Sequence, residues 1–289
     1  MKRRGHILAL AMVLAMGIGT LTGCGSKDTG SSGDTSSAKE TESETVDTSS
    51  LKLMSDGVLS VGCEVGYPPF EDFAEDGTTP VGYDVDIISE VASRLGLKVN
   101  IINTAWDGIF AGLGQNYDVV CSACTITDER LKTMDFSTPY INNYQSVVLP
   151  TGSDLKINSF KDLDGMTVAV QKETTSDILM SDYKETGTID VEIVANEKVT
   201  SCFTQLTNGE IDAICVDSTV ADGYVASDPD KYTIAYKDEK EAEQFGIAIV
   251  KGNTALQDAI NKVLADMEAD GFIKDTYDYW FGAGETKEE

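Results

Sequence analysis

From Val58 onward the chain alternates short apolar runs of strand length with stretches whose apolar residues recur at helical spacing, and it does so twice. Such alternation is the pattern of an α/β fold, in which helices cover sheets. In the first run Val58 to Cys63 reads as a buried strand. Asp84 to Leu95 puts Val85, Ile88, Val91, Ala92 and Leu95 on one helical face, with Asp84 and Asp86 in the first turn and Gly96 as the stop. Val99 to Ile102 reads as a strand, Ile109 to Leu113 as a short helix and Asp118 to Cys121 as a third strand. The second run repeats the scheme: Met166 to Val170 strand, Ser176 to Met180 helix, Val191 to Val194 strand, Phe203 to Leu206 helix, Ala213 to Val216 strand. Leu113 precedes Asp118-Val119-Val120-Cys121 much as Leu206 precedes Asp212-Ala213-Ile214-Cys215, an internal echo. The tail adds a strand, Gly246 to Val250, and a long helix through Ile260, Val263, Leu264 and Met267. If the tail rejoins the first run, the chain forms lobe 1 from 51–147 plus 245–285 and lobe 2 from 148–244, with crossings near 145–150 and 240–246. Two crossings make a hinge and a cleft.

The first residues are of another kind. Lys2, Arg3 and Arg4 lead into an apolar run from Ile7 to Ile18 and a small, polar stretch to Gly23, the order of a secretory signal in 1–23. The run is short for a bilayer-spanning helix, which needs roughly 20 apolar residues. Leu21-Thr22-Gly23-Cys24 resembles the lipobox of bacterial lipoproteins, which implies cleavage before Cys24 and lipid on its thiol. Residues 25–50 are nearly all small, polar or charged, with Val46 the single large aliphatic, so 24–50 reads as a lipidated cysteine and a disordered tether. A flexible coil of that length spans on the order of 28 Å. The implied location is the outer face of the cytoplasmic membrane, lipid-anchored, or the periplasm.

Charge and composition exclude several functions. Removing 1–23 takes away three basic residues and no acidic ones, so the net charge of −27 becomes −30, and so acidic a surface repels nucleic acid. The chain's one histidine is His6, inside the signal, so Ser-His and Cys-His nucleophile pairs and most zinc and iron sites are excluded, and no metal or cofactor is expected. Five cysteines follow Cys24: Cys63, Cys121, Cys124, Cys202 and Cys215. Their number is odd and their spacing is no disulfide framework, so buried or pocket-wall thiols are expected.

Six short motifs occur in order: Tyr67-Pro68-Pro69-Phe70; Gly82-Tyr83-Asp84-Val85-Asp86-Ile87 followed by Val91-Ala92; Trp106-Asp107-Gly108-Ile109; Thr125-Ile126-Thr127 with Arg130; Asp135-Phe136-Ser137 with Pro139-Tyr140; and Phe160, Asp162-Leu163 and Gly165. Together they resemble the polar amino acid-binding family of bacterial solute-binding proteins that serve ABC importers, over about residues 57 to 282. The resemblance implies a two-lobed, type II periplasmic-binding-protein-like fold, a small amino acid ligand, a membrane permease as partner and a monomer.

An amino acid brings a carboxylate and an ammonium on one carbon, and a dry site must satisfy both. Arg130, five residues after Thr125 as in the family, is implied to grip the carboxylate with its two-pronged donor. Thr125 is expected to add its amide to the carboxylate and its hydroxyl to the ammonium. Thr174-Thr175-Ser176 opens a helix, whose free amides favour an anion, and the resemblance makes Thr175 complete the carboxylate cage. The family has Gly where this chain has Glu173, an awkward neighbour for an anion unless it points outward. Asp217, after the strand 213–216, is implied to pair with the ammonium, and it doubles as a candidate helix cap. Ser122 and Ala123, at the end of the strand before, bring a carbonyl or hydroxyl to the same pole. Tyr67 and Trp106 are implied to flank the ligand's side chain. Glu64 lies where relatives that prefer basic amino acids often carry an acid, which leans the expectation towards a cationic or polar amino acid, with cystine and glutamine left open.

The expectation is binding without turnover. Its rivals are a cleft enzyme of the cyclohexadienyl dehydratase type, using Glu64, Glu173 and Asp217, and a sensory or adhesion module.

Overall fold

The computed structural model describes residues 48–282; the signal, Cys24 and the tether up to residue 47 lie outside them. Thr48–Leu51 is a short 3-10 turn, and Leu51 is buried in the main core, so the folded body starts ahead of the expected border at 51.

The first lobe contains β1 (Val58–Cys63), the hairpin β2 (Asp72–Phe73) and β3 (Pro80–Val81), α1 (Tyr83–Arg94), β4 (Lys98–Asn103), β5 (Val119–Val120) and β6 (Met134–Phe136). The strand expected over 118–121 is thus only two residues long. The chain leaves along β7 (Ile141–Asn143). It then forms β8 (Gln145–Pro150), β9 (Thr167–Gln171), α2 (Thr175–Glu185), β10 (Glu192–Asn196), α3 (Val199–Asn208), β11 (Ala213–Asp217), α4 (Ser218–Ser227) and β12 (Tyr232–Lys237). It returns along β13 (Glu243–Phe245) to β14 (Ala248–Val250), α5 (Thr254–Ala269) and α6 (Phe272–Phe281).

Two sheets of five strands result, ordered β4-β1-β5-β14-β6 and β10-β9-β11-β8-β12. In each, three parallel strands are followed by two antiparallel additions. The internal echo therefore has a structural basis: β5 and β11 hold the same third place in their sheets. Each crossing strand feeds the fourth place of the sheet it enters, β7 into β8 and β13 into β14. The crossings pair with one another, Asn143 opposite Glu243 and Ile141 opposite Phe245. This is the two-lobed type II architecture. Because β8 belongs wholly to the second sheet, that lobe takes up the chain at Gln145, three residues before the expected border at 148.

Local chemistry explains the entry into α1. Gly82 has φ +141°, and a Cβ there would collide with the backbone carbonyl of Phe70, so glycine alone fits. Tyr83, Ile87, Ile88 and Val91 then bury one face of α1 against α5, α6 and the sheet.

Candidate functional site

The carboxyl ends of the parallel strands of both sheets open onto one cavity of about 290 Å³, lined by Glu64, Tyr67, Trp106, Ser122, Ala123, Thr125, Arg130, Gln171, Thr174, Thr175 and Asp217. A crevice outside the carboxyl ends of parallel strands is where open α/β sheets bind ligands. All ten candidate residues of the sequence reading lie on this wall; Gln171, at the end of β9, was not among them.

The first lobe brings the cationic group. Arg130 sits with its guanidinium 5.4 Å from the Trp106 ring centre and 5.0 Å from that of Phe110, and donates to the Thr125 carbonyl at 2.8 Å. Among the described residues no carboxylate comes within ion-pair distance of it. Burial pulls its pKa down, and the nearby Cys124, Glu243 and Asp217 oppose that pull. A half-buried cation with donors to spare suits an anionic ligand group. Thr125 faces Phe245 in an isolated antiparallel bridge whose hydrogen bonds come from the neighbours: Ile126 N to Gln244 O at 2.8 Å and Gly246 N to Cys124 O at 3.0 Å. The amide of Thr125 is thereby turned to the other side, away from the crossing strand.

The loop between β5 and Arg130 is pinned from behind. Ala123 adopts φ +47°, costly for a residue with a Cβ, and its amide donates to Asp84 Oδ2 at 2.6 Å, while Tyr140 holds Asp84 Oδ1 at 2.8 Å. Burial lifts the Asp84 carboxyl to about 6 against these hydrogen bonds. Ser122 Oγ accepts from the Glu64 amide at 3.0 Å and donates to Glu71 Oε1 at 2.5 Å. Its hydroxyl is therefore already engaged, which leaves the Ser122 carbonyl as the group for a ligand. Glu71 is fully buried, and burial, then the adjacent Asp84, push its carboxyl well up. The thiols of Cys63, Cys121, Cys124, Cys202 and Cys215 are all free and buried, and burial raises each of them.

The second lobe brings the acid. Asp217 stands at the N-cap position of α4 but makes no side-chain cap; its carboxylate turns instead to Tyr67 Oη (2.5 Å), Asn143 Nδ2 (2.6 Å) and Gln145 Nε2 (2.9 Å). Burial and the nearby Glu243 lift it to about 7, against those hydrogen bonds. Thr174 caps α2, accepting from Asp177 N at 3.3 Å, so the free amides at the start of that helix meet the cavity. Glu173 points outward and is exposed, which removes the conflict the sequence raised.

Among the described residues, side-chain polar contacts that cross the cleft include Tyr67 to Asp217, Gln171 Nε2 to Glu64 Oε2 at 2.7 Å, and the ion pair of Lys172 and Asp107 at 2.8 Å, exposed at the mouth. Burial raises Glu64 to about 7, with Gln171 and Lys198 opposing. Gln171 Oε1 is buried and unpartnered among the described residues. The cavity wall therefore carries a cation, the free amides of a helix start, the carboxylate of Asp217 and the acceptors Glu64 and Gln171.

Sequence reasoning missed Gln171, Asn143, Gln145 and Glu243. Polar residues inside strands carry no signal of the direction in which they point, and only the alternation Asn143, Gln145 across the crossing hinted at one shared face.

Residues 59–283 match the family of bacterial extracellular solute-binding proteins, family 3. The L-cystine-binding protein TcyJ of Escherichia coli (strain K12) is 34% identical over 238 residues, 82% of this chain and 87% of that one. The solved structure of the P235GK mutant of ArgBP from T. maritima has 38% identity and a TM-score of 0.72, over 78% of this chain and 95% of that one. The ancestral amino acid-binding protein AncCDT-1, a precursor of cyclohexadienyl dehydratase, has 34% identity and a TM-score of 0.71, over 78% and 96%.

Proposed function

Because the chain belongs to the bacterial extracellular solute-binding proteins of family 3, we propose that it captures a polar amino acid between its lobes and delivers it to an ABC permease without chemical turnover. The observation that carries this reading is the presence, on the wall of one cavity, of a half-buried guanidinium with no carboxylate partner among the described residues, the free amides of a helix start and a buried carboxylate. Arg130 and the amides of Thr125 and Thr175 receive the α-carboxylate, and Asp217 receives the α-ammonium. The side chain runs between Tyr67 and Trp106 towards Glu64 and Gln171. Two acceptors there favour a side chain ending in N–H donors: a guanidinium, an amide, an ammonium, or the distal amino group of cystine. Cystine and arginine are the ligands in the names of two relatives, the L-cystine-binding protein TcyJ and the ABC transporter arginine-binding protein 1 of Escherichia coli.

The test is thermal unfolding of the mature protein against the twenty amino acids, ornithine and cystine, after exchange through denaturant to remove carried ligand. A ligand at 100 times its Kd adds about 2.7 kcal/mol to stability. A shift confined to donor-ended side chains supports the reading, and a flat panel rejects it.

Likeness to a precursor of cyclohexadienyl dehydratase keeps the cleft-enzyme reading in view. Prephenate or arogenate incubated with the protein is expected to stay unchanged, and product formation would reverse the assignment. The lipid anchor on Cys24 is part of the same proposal: Cys24→Ala is expected to move the protein from the membrane fraction to the soluble one.

A further inference from the structure

The binding reading uses Arg130, Asp217 and the cavity wall but leaves Glu243 without a part. Glu243 opens β13, and its side chain is not on the cavity lining. Each hydrogen bond given for its carboxylate is one it accepts: from Thr125 Oγ1 at 3.0 Å, Thr175 Oγ1 at 3.1 Å, Gln145 Nε2 at 3.1 Å and Asn143 Nδ2 at 3.4 Å. Thr125 belongs to the first lobe and Thr175 to the second, while Asn143 and Gln145 flank the outgoing crossing. One carboxylate thus gathers groups from both lobes and from the opposite crossing.

A hydroxyl has a single proton, and whichever acceptor takes it decides what the oxygen offers elsewhere. The Thr175 hydroxyl donates to Glu243 and accepts from Gln145 Nε2 at 3.2 Å, so it is occupied on both counts, and its amide is what remains for a ligand carboxylate. The Thr125 hydroxyl donates to Glu243 and accepts no hydrogen bond among the described residues, and Thr125 lines the cavity, so its lone pairs remain for a further donor. We propose that Glu243 is a positioning residue that sets the hydrogen-bond polarity of the pocket: by taking the hydroxyl protons of Thr125 and Thr175 it leaves Thr125 Oγ1 an acceptor for the ligand's α-ammonium, so that acids lacking this ammonium are rejected. The proposal rests on the amino acid reading and deepens it. Gln145 and Asn143 also donate to Asp217, so the two carboxylates share one set of donors. Only an acceptor suits position 243, because every neighbour named there arrives with a proton.

The test compares each amino acid with its α-hydroxy acid: L-arginine with argininic acid, and L-glutamine with its 2-hydroxy analogue, by calorimetric titration of the mature protein. Wild type is expected to prefer the amino acid. Glu243→Gln removes the charge and turns one of the two acceptor oxygens into an N–H donor, so the Thr125 hydroxyl loses its charged acceptor. The amino acid is expected to weaken by about tenfold or more, the energy of a charge-linked hydrogen bond. Its preference over the hydroxy acid should shrink by about the same factor. Glu243→Asp, which keeps the acceptor, should retain the preference even where overall affinity drops, and Arg130→Ala should weaken both members of a pair alike. An unchanged preference in a folded Glu243→Gln variant overturns the proposal. So does an equal loss for both members, since Glu243 would then merely brace the closed lobes. If the thermal panel names another amino acid, that amino acid and its α-hydroxy analogue form the pair; if wild type binds no amino acid of the panel, the amino acid reading itself has failed and this inference falls with it, whereas equal binding of both members rejects the inference alone.

Discussion

The two faces of the cleft are built by different means. On the first lobe Arg130 is held from within the lobe: it lies over Trp106 and Phe110 and is tied to the Thr125 carbonyl, while Asp84 and Glu71 pin the adjoining loop from behind, and only the amides at the start of α2 come from the other side. On the second lobe the cation seat is borrowed. Asp217 comes from β11, but its partners are Tyr67 of the first lobe and Asn143 and Gln145 of the crossing. One half is therefore preorganised, whereas the other reaches its final geometry only with the lobes together. Ligand affinity and closure become one equilibrium, because a ligand that touches both seats stabilises the state in which both exist.

The sharpest way to break this contrast is Arg130→Ala. It strands a ligand carboxylate in a dry site and is expected to cost roughly 2 to 5 kcal/mol, at least about 30-fold in Kd by calorimetry. Unchanged affinity would remove Arg130 from the site. Asp217→Asn is next, at roughly 1.5 to 3 kcal/mol for a lost charge-linked hydrogen bond. Because the cation seat depends on closure, small-angle scattering of this variant with saturating ligand should report a larger open fraction than wild type. The Arg130 variant, once saturated, should close fully.

Acidification sharpens the comparison. Asp217 is lifted to about 7 in the ligand-free protein, and an ammonium needs it ionised, so affinity should fall by up to about tenfold per pH unit below 7. Stability of the ligand-free form should move the other way. Glu64 and Asp217 at about 7, and Asp84 at about 6, bind protons in the folded state that the unfolded chain releases down to ordinary carboxylate values. These three carboxyls therefore add stability as pH falls from about 7 towards 4, and denaturant melts across that window check the sign. A protein whose affinity and unliganded stability fell together on acidification would contradict the assignment. The smallest effect belongs to the mouth of the cleft. Lys172→Ala breaks an exposed ion pair with Asp107, so only a slight loss of affinity is expected, and it should vanish in high salt.

Much of this was legible in the chain. The alternation of strand and helix periods anticipated two α/β lobes, and the echo of 118–121 in 212–215 marked β5 and β11, which occupy equivalent sheet places. The conspicuous cavity residues could be named because strand ends, a helix start and a spaced arginine each leave a local trace. The crossing near 145–150 gave no sharper border, because the pairing of Gln145 and Ser146 with Asp217 and Val216 on β11 leaves no trace in the chain.

The sequence by itself determined the periods of the elements, the strongly acidic net charge, and the residue types available to line the cavity. Tertiary structure alone decided which polar atoms meet. It brought Glu243 to Thr125 and Thr175, turned Asp217 from helix capping to the cavity, and joined Gln171 to Glu64 across the lobes. The physical reason is that periodicity is a short-range property of the backbone, whereas a hydrogen bond needs its partners within about 3 Å, and folding brings together groups that may lie a hundred residues apart in the chain.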